Sequence, residues 1–138
     1  MKYYYKLKRA DFDTFFSLDT NMVMEFFSYM DEKDAVVAFS YSGQSIEIIE
    51  ACKAAKEQHI TVIAVTRNSP SRLSKIADIC LFVPNQEDVM RIGAFTSKNT
   101  SMMMADILYL GLIQDDLKAI EIELVKTRKL VERLKVKD

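Results

Sequence analysis

Ala35-Val36-Val37-Ala38-Phe39-Ser40-Tyr41-Ser42-Gly43-Gln44-Ser45, running into Ile46-Glu47-Ile48-Ile49-Glu50-Ala51, decides the fold. Five apolar residues rich in valine read as a strand covered on both faces. The Ser/Gly cluster after them reads as a turn. Beyond it, Ile46, Ile49, Ala51 and Cys52 alternate with Glu47, Glu50 and Lys53, the spacing of an amphipathic helix reaching about Gln58. Strand, tight turn, helix is the first half of a βαβ unit.

Working outward, two further runs have the same character. Thr61-Val62-Ile63-Ala64-Val65-Thr66 ends in Arg67-Asn68-Ser69-Pro70, and Ile79-Cys80-Leu81-Phe82-Val83 ends in Pro84-Asn85. A short helix is expected from Ser71 to Ala77 and another from Met22 to Met30, after the N-cap cluster Asp19-Thr20-Asn21. A weaker fourth strand is expected over Asp13 to Leu18. Strands alternating with helices imply an α/β fold with a parallel sheet and right-handed crossovers.

After Asn85 the pattern is helical. Ile92 to Ile113 is apolar nearly all round, which predicts burial in the core or at a subunit interface. Met102-Met103-Met104 reads there as plastic core. From Asp115 to Lys137, Leu117, Ile120, Leu124, Val131 and Leu134 form a heptad-like stripe interrupted by Thr127. That helix packs on its own domain or pairs with another subunit.

The totals set limits. At 138 residues the chain suits one domain, and a net charge of −1 argues against nucleic-acid binding by its own field. The basic residues among the first tyrosines, Lys2, Lys6, Lys8 and Arg9, then read as an exposed helix face. Cys52 and Cys80 lie in apolar stretches without a partner at ligand spacing, so they read as reduced core thiols. No signal peptide is visible and Met102 to Ile113 is too short to span a bilayer, so a cytoplasmic location is expected and no membrane partner.

In an open parallel sheet, ligands gather at the carboxyl ends of the strands. The turn there carries Ser40, Ser42 and Ser45 around Gly43, with a helix N-terminus behind it. That combination suits an anion such as phosphate. A Ser-rich loop that only caps its helix is the alternative. With no G-x-G-x-x-G and no P-loop lysine, a dinucleotide or ATP site is not expected. No cofactor or metal is implied.

These residues resemble a known family. Val36 to Ala51 is similar to the phosphosugar-binding signature of SIS (sugar isomerase) domains, and Val62 to Asn68 and Ser71 to Asp78 fit the same pattern. Arg91-Ile92-Gly93-Ala94-Phe95-Thr96-Ser97-Lys98 looks most like the C-terminal effector domain of RpiR-type bacterial transcription regulators. The resemblance implies a flavodoxin-like three-layer α/β/α sandwich that dimerises. It implies a sugar phosphate held by Ser40, Ser42 and Ser45 with backbone from Tyr41 to Gln44. The SIS domain is expected over residues 1–114, with a C-terminal helix over 115–138. Two departures stand out: no helix-turn-helix domain is present, and the Gly/Ser-rich first SIS strand is missing, as in an N-terminally truncated domain. That strand would lie between the strands near Phe15 and Val37, and exchange between subunits is one way to close the sheet.

The implied function is effector sensing without catalysis, with DNA contacted only through a separate helix-turn-helix domain. The alternatives are a sugar-phosphate isomerase and a dimerisation module without ligand. An isomerase needs a base. The single histidine, His59, falls at the amino edge of the sheet, roughly 17–20 Å from the serine turn. Glu87, Arg91, Ser97 and Lys98 are candidate contacts to the sugar or a partner subunit, beside the plainer reading of solvated loop and helix-start residues. Glu47 and Glu50 are ambiguous.

Overall fold

A computed structural model describes residues 2–84 and 93–134. The elements run α1 (Lys2–Arg9), α2 (Thr20–Phe27), β1 (Ala35–Phe39), α3 (Ile46–Glu57), β2 (Thr61–Arg67), α4 (Arg72–Ile76), β3 (Ile79–Val83), α5 (Gly93–Ile113) and α6 (Leu117–Glu132), with a 3-10 turn at Gln114–Asp116. The three expected strands form one parallel sheet in the order β1-β2-β3. Ala35 to Phe39 lie beside Thr61 to Val65, and Ile63 to Arg67 lie beside Ile79 to Val83.

The chain divides into two compact units, residues 17–104 and residues 1–16 with 105–138. In the first, one face of the sheet and α2, α3 and α4 close the main core. Ala38, Val62 and Ala64 from the strands meet Phe27, Ile49, Cys52, Ala55 and Leu73 from the helices. Alternate strand residues face one side, which is why 62 and 64 share this cluster. Burial pushes the Cys52 thiol up to about 11, so it stays protonated at neutral pH.

The amino edge of this sheet is closed by polar groups that satisfy one another. Asp78 accepts from the Val62 N–H (2.8 Å) and from Lys56 Nζ, and its own N–H donates to the Val62 carbonyl (2.9 Å). The Lys56 ammonium and the Val62 N–H hold its carboxyl below the usual range. Nearby, α3 ends with His59 in the left-handed region (φ 60°). The Ile60 N–H reaches the Ala55 carbonyl and the His59 N–H the Lys56 carbonyl, both at 3.0 Å, a Schellman motif.

In the second unit, Ala10, Ile113 and Ile120 form a small core with Phe12, Tyr109 and Leu124. Lys6 pairs with Asp106 and lies 5.9 Å from the centre of the Tyr109 ring.

Two expectations need correction. Asp13 to Leu18 is not a strand. Its polar groups bond locally instead of to a ladder: Thr14 Oγ1 donates to the Phe12 carbonyl (3.1 Å) and Ser17 Oγ accepts from the Asp19 N–H (2.9 Å). Nor is the long helix buried all round. Ala105 and Ile113 are buried, but Met102, Met103, Ile107 and Leu110 are exposed in the single chain, so Met102 and Met103 are not packed core, while Met104 is half-buried.

Candidate functional site: the serine turn after β1

Backbone hydrogen bonds fix the turn. The Ser40 N–H donates to the Val65 carbonyl (3.0 Å), and the Ser40 carbonyl accepts the Gly43 N–H (3.1 Å). The Tyr41 carbonyl takes both the Arg67 N–H (3.0 Å) and Thr66 Oγ1 (3.2 Å). Gly43 then passes the chain to α3 at φ +64°, and its carbonyl accepts the Leu73 N–H (3.1 Å). A Cβ at Gly43 would stand 2.2 Å from Ser71 Oγ and 2.6 Å from Ser71 Cβ. The glycine is needed because the turn lies against the protein itself, on Ser71 and Thr66.

The three hydroxyls differ in what they do. Ser40 is buried under the turn. Ser42 is exposed and accepts weakly from the Gln44 N–H (3.3 Å). Ser45 is the N-cap residue of α3 in position, yet its side chain makes no cap hydrogen bond. The first N–H groups of a helix lack intrahelical partners, and here the residue placed to satisfy them does not. The two neighbouring helices of this unit behave otherwise. Asp19 caps α2 through the Asn21 N–H, and Ser71 caps α4 in a reciprocal capping box with Ser74. Of the three helices α2, α3 and α4, α3 alone starts without a side-chain cap.

Charge near the turn is sparse. No lysine or arginine lies within Ser40 to Ser45, so an anion there would be held by N–H groups, hydroxyls and the α3 dipole. Just beyond, Arg67 Nε and Ser69 Oγ are buried without a hydrogen-bond partner among the described residues. Buried polar atoms are nearly always satisfied, so both mark an edge with unmet hydrogen-bonding capacity. The sequence did not single out Thr66, Arg67, Ser69 or Ser71 for the site. The T-R-N-S-P-S stretch that closes and follows the second strand is their one visible signal.

The other candidate residues fall into three groups. Glu87 and Arg91 lie outside the described residues. Ser97 and Lys98 fall in α5, where only the backbone is described. Glu47 and Glu50 are exposed on α3. His59 is exposed at the amino end of β2, the edge opposite the turn of its own chain. Among the described residues no cluster of His, Cys, Asp or Glu could hold a metal, and no helix is long and apolar enough to cross a membrane.

With this geometry in hand, comparison with known proteins is direct. The SIS domain model matches residues 4–110, and the chain belongs to the SIS domain family. It is 31% identical over 132 residues to an uncharacterized HTH-type transcriptional regulator of Thermotoga maritima, covering 96% of this chain and 47% of that protein. Among solved structures it is similar to the Vibrio vulnificus NanR protein complexed with ManNAc-6P, at 25% identity and a TM-score of 0.85, over 99% of this chain and 51% of that one. The sugar isomerase domain of an RpiR transcription factor from Sphaerobacter thermophilus shares the fold at 14% identity, with a TM-score of 0.69, over 93% of this chain and 70% of that one. The chain spans between a third and a half of the length of curated HTH-type regulators it matches.

Proposed function

We propose that this chain senses a sugar phosphate for a sugar-responsive transcriptional regulator of the RpiR type and has no chemistry of its own. The uncapped start of α3 behind the serine turn carries the reading, beside two neighbouring helices that are capped. A phosphate would accept the first-turn N–H groups of α3 and the hydroxyls of Ser42 and Ser45, with the turn from Ser40 through Gln44 as its cradle. The likeness to NanR with ManNAc-6P supports this ligand class. In this reading residues 1–114 are the sensing domain and residues 115–138 a helix on it or at a subunit contact. The whole regulator is cytoplasmic, works as a homodimer or higher homo-oligomer, and meets DNA through a helix-turn-helix domain outside this sequence. Binding would bias the arrangement of subunits, because a ligand shifts an equilibrium by its differential affinity for two states.

A thermal-shift screen against sugar phosphates, with the free sugars and inorganic phosphate as controls, tests it. A melting temperature raised by one sugar phosphate and not by its free sugar is expected, since a ligand binding only the folded state stabilises it. No rise with any compound would leave a dimerisation module in its place. Conversion of the binding sugar phosphate to its ketose or aldose partner, followed by NMR, would replace the sensor with an isomerase.

A further inference from the structure

We propose that the effector carries a second anionic group, a carboxylate, which Arg67 and Ser69 bind while the serine turn holds the phosphate. The inference rests on the sensing reading above and narrows its ligand to sugar phosphates that are also carboxylic acids.

Two groups at the carboxyl end of β2 are left without partners. Arg67 Nε and Ser69 Oγ are buried with no hydrogen bond among the described residues. Nor does the Arg67 guanidinium form an ion pair among them. The backbone holds the two residues together, because the Ser69 N–H donates to the Arg67 carbonyl (2.7 Å). It also ties them to the serine turn, through the Arg67 N–H on the Tyr41 carbonyl (3.0 Å).

Alternation along β2 separates this pair from the phosphate. Val62 and Ala64 face α3, in the cluster of Ile49, Cys52 and Ala55. Thr66 leaves the strand on that same side and supports the turn by donating to the Tyr41 carbonyl. Arg67 therefore leaves on the other side, where Val65 precedes it and Val83 is its register partner, both 1% exposed. A phosphate on the α3 amides lies on the Thr66 side. Arg67 is thus placed for a different part of the same ligand.

Charge decides what that part is. No Asp or Glu occurs in residues 35–46, 61–77 or 79–84, which hold the three strands, both intervening turns at the carboxyl edge and α4. Asp78 is paired with Lys56 at the opposite edge. A guanidinium is always charged and can only donate hydrogen bonds. A sugar hydroxyl would accept one of them and leave the charge unbalanced beside buried valines, an expensive arrangement. A carboxylate supplies the charge and two acceptor oxygens, enough for the guanidinium and the Ser69 hydroxyl together.

Calorimetric titration of the full chain with matched pairs of ligands tests this. The pairs are 6-phosphogluconate with glucitol 6-phosphate, glucuronate 1-phosphate with glucose 1-phosphate, and a lactyl-ether sugar phosphate with its unsubstituted parent. In at least one pair the acid is expected to bind about tenfold or more tightly than its neutral counterpart, the size of one charged hydrogen bond. Arg67→Gln should erase that preference while leaving the neutral member within about twofold, and Ser69→Ala should reduce the preference in part. Circular dichroism reports whether each variant is folded, and the comparison within a pair needs no variant at all. Neutral members binding as tightly as acids in every pair would overturn the proposal. So would an Arg67→Gln chain that loses both members equally, since the arginine would then serve the phosphate. If no sugar phosphate of either kind binds, the sensing reading itself falls, and this proposal with it.

Discussion

The two edges of the parallel sheet handle their polar groups in opposite ways. At the amino edge, Asp78, Lys56 and the Val62 backbone bond to one another, and the His59 turn closes α3 with both of its expected hydrogen bonds. At the carboxyl edge, Ser45 leaves the α3 amides uncapped, and Arg67 Nε and Ser69 Oγ are buried with no partner among the described residues. Structure is finished at one edge and left open at the other. The open edge is the one at which parallel sheets receive ligands, which is why the proposed site is placed there.

The largest way to break the contrast is at Gly43. Gly43→Ala combines a left-handed backbone with a Cβ 2.2 Å from Ser71 Oγ, and should cost about 3 kcal/mol in urea unfolding. Next comes a paired test on the two serine N-caps. Ser45→Ala should leave stability within about 0.5 kcal/mol while weakening sugar-phosphate binding by about 1.5 kcal/mol, the loss of a hydrogen bond to a charged group. Ser71→Ala should do the reverse, costing about 1 kcal/mol of stability through its lost cap. Calorimetric titration and denaturant melts on both variants separate the two roles. Equal behaviour of the pair would erase the distinction between a cap and a site.

Smaller effects belong to the amino edge. His59→Gly should stabilise by about 0.5–1 kcal/mol, because glycine adopts the left-handed C′ position without the Cβ penalty. Asp78 has a lowered folded pKa, so its stabilising contribution is present above its unfolded value of about 3.9. That contribution is lost as pH falls through the folded value. Melts from pH 7 down to pH 3 should therefore show less acid sensitivity in Asp78→Asn than in the unaltered chain.

Much of this was legible in the residues. The three strands announced themselves as short β-branched runs, and the Asp19-Thr20-Asn21 cluster as the start of α2, because strand propensity and capping are local signals. The apparent strand over Asp13 to Leu18 misled for a matching reason. Phe15, Phe16 and Leu18 look strand-like alone, but pairing is a property of neighbours. The turn of Ser40 to Ser45 was found as a candidate from its hydroxyls and glycine. What it rests on, Thr66 and Ser71, was not, since those contacts are made only when β2 and α4 are in place. The use of each serine was equally hidden: Ser45 and Ser71 occupy the same cap position, and only geometry shows one engaged and the other free to act.

The contact between Gly43 and Ser71 also has a meaning for the history of the sequence. Two positions far apart in the chain occupy what is nearly a single space, so neither can drift alone. A lineage that enlarged residue 71 would push on the turn as surely as one that replaced the glycine. Descendants of this chain should therefore keep both residues small, or surrender the shape of the turn altogether.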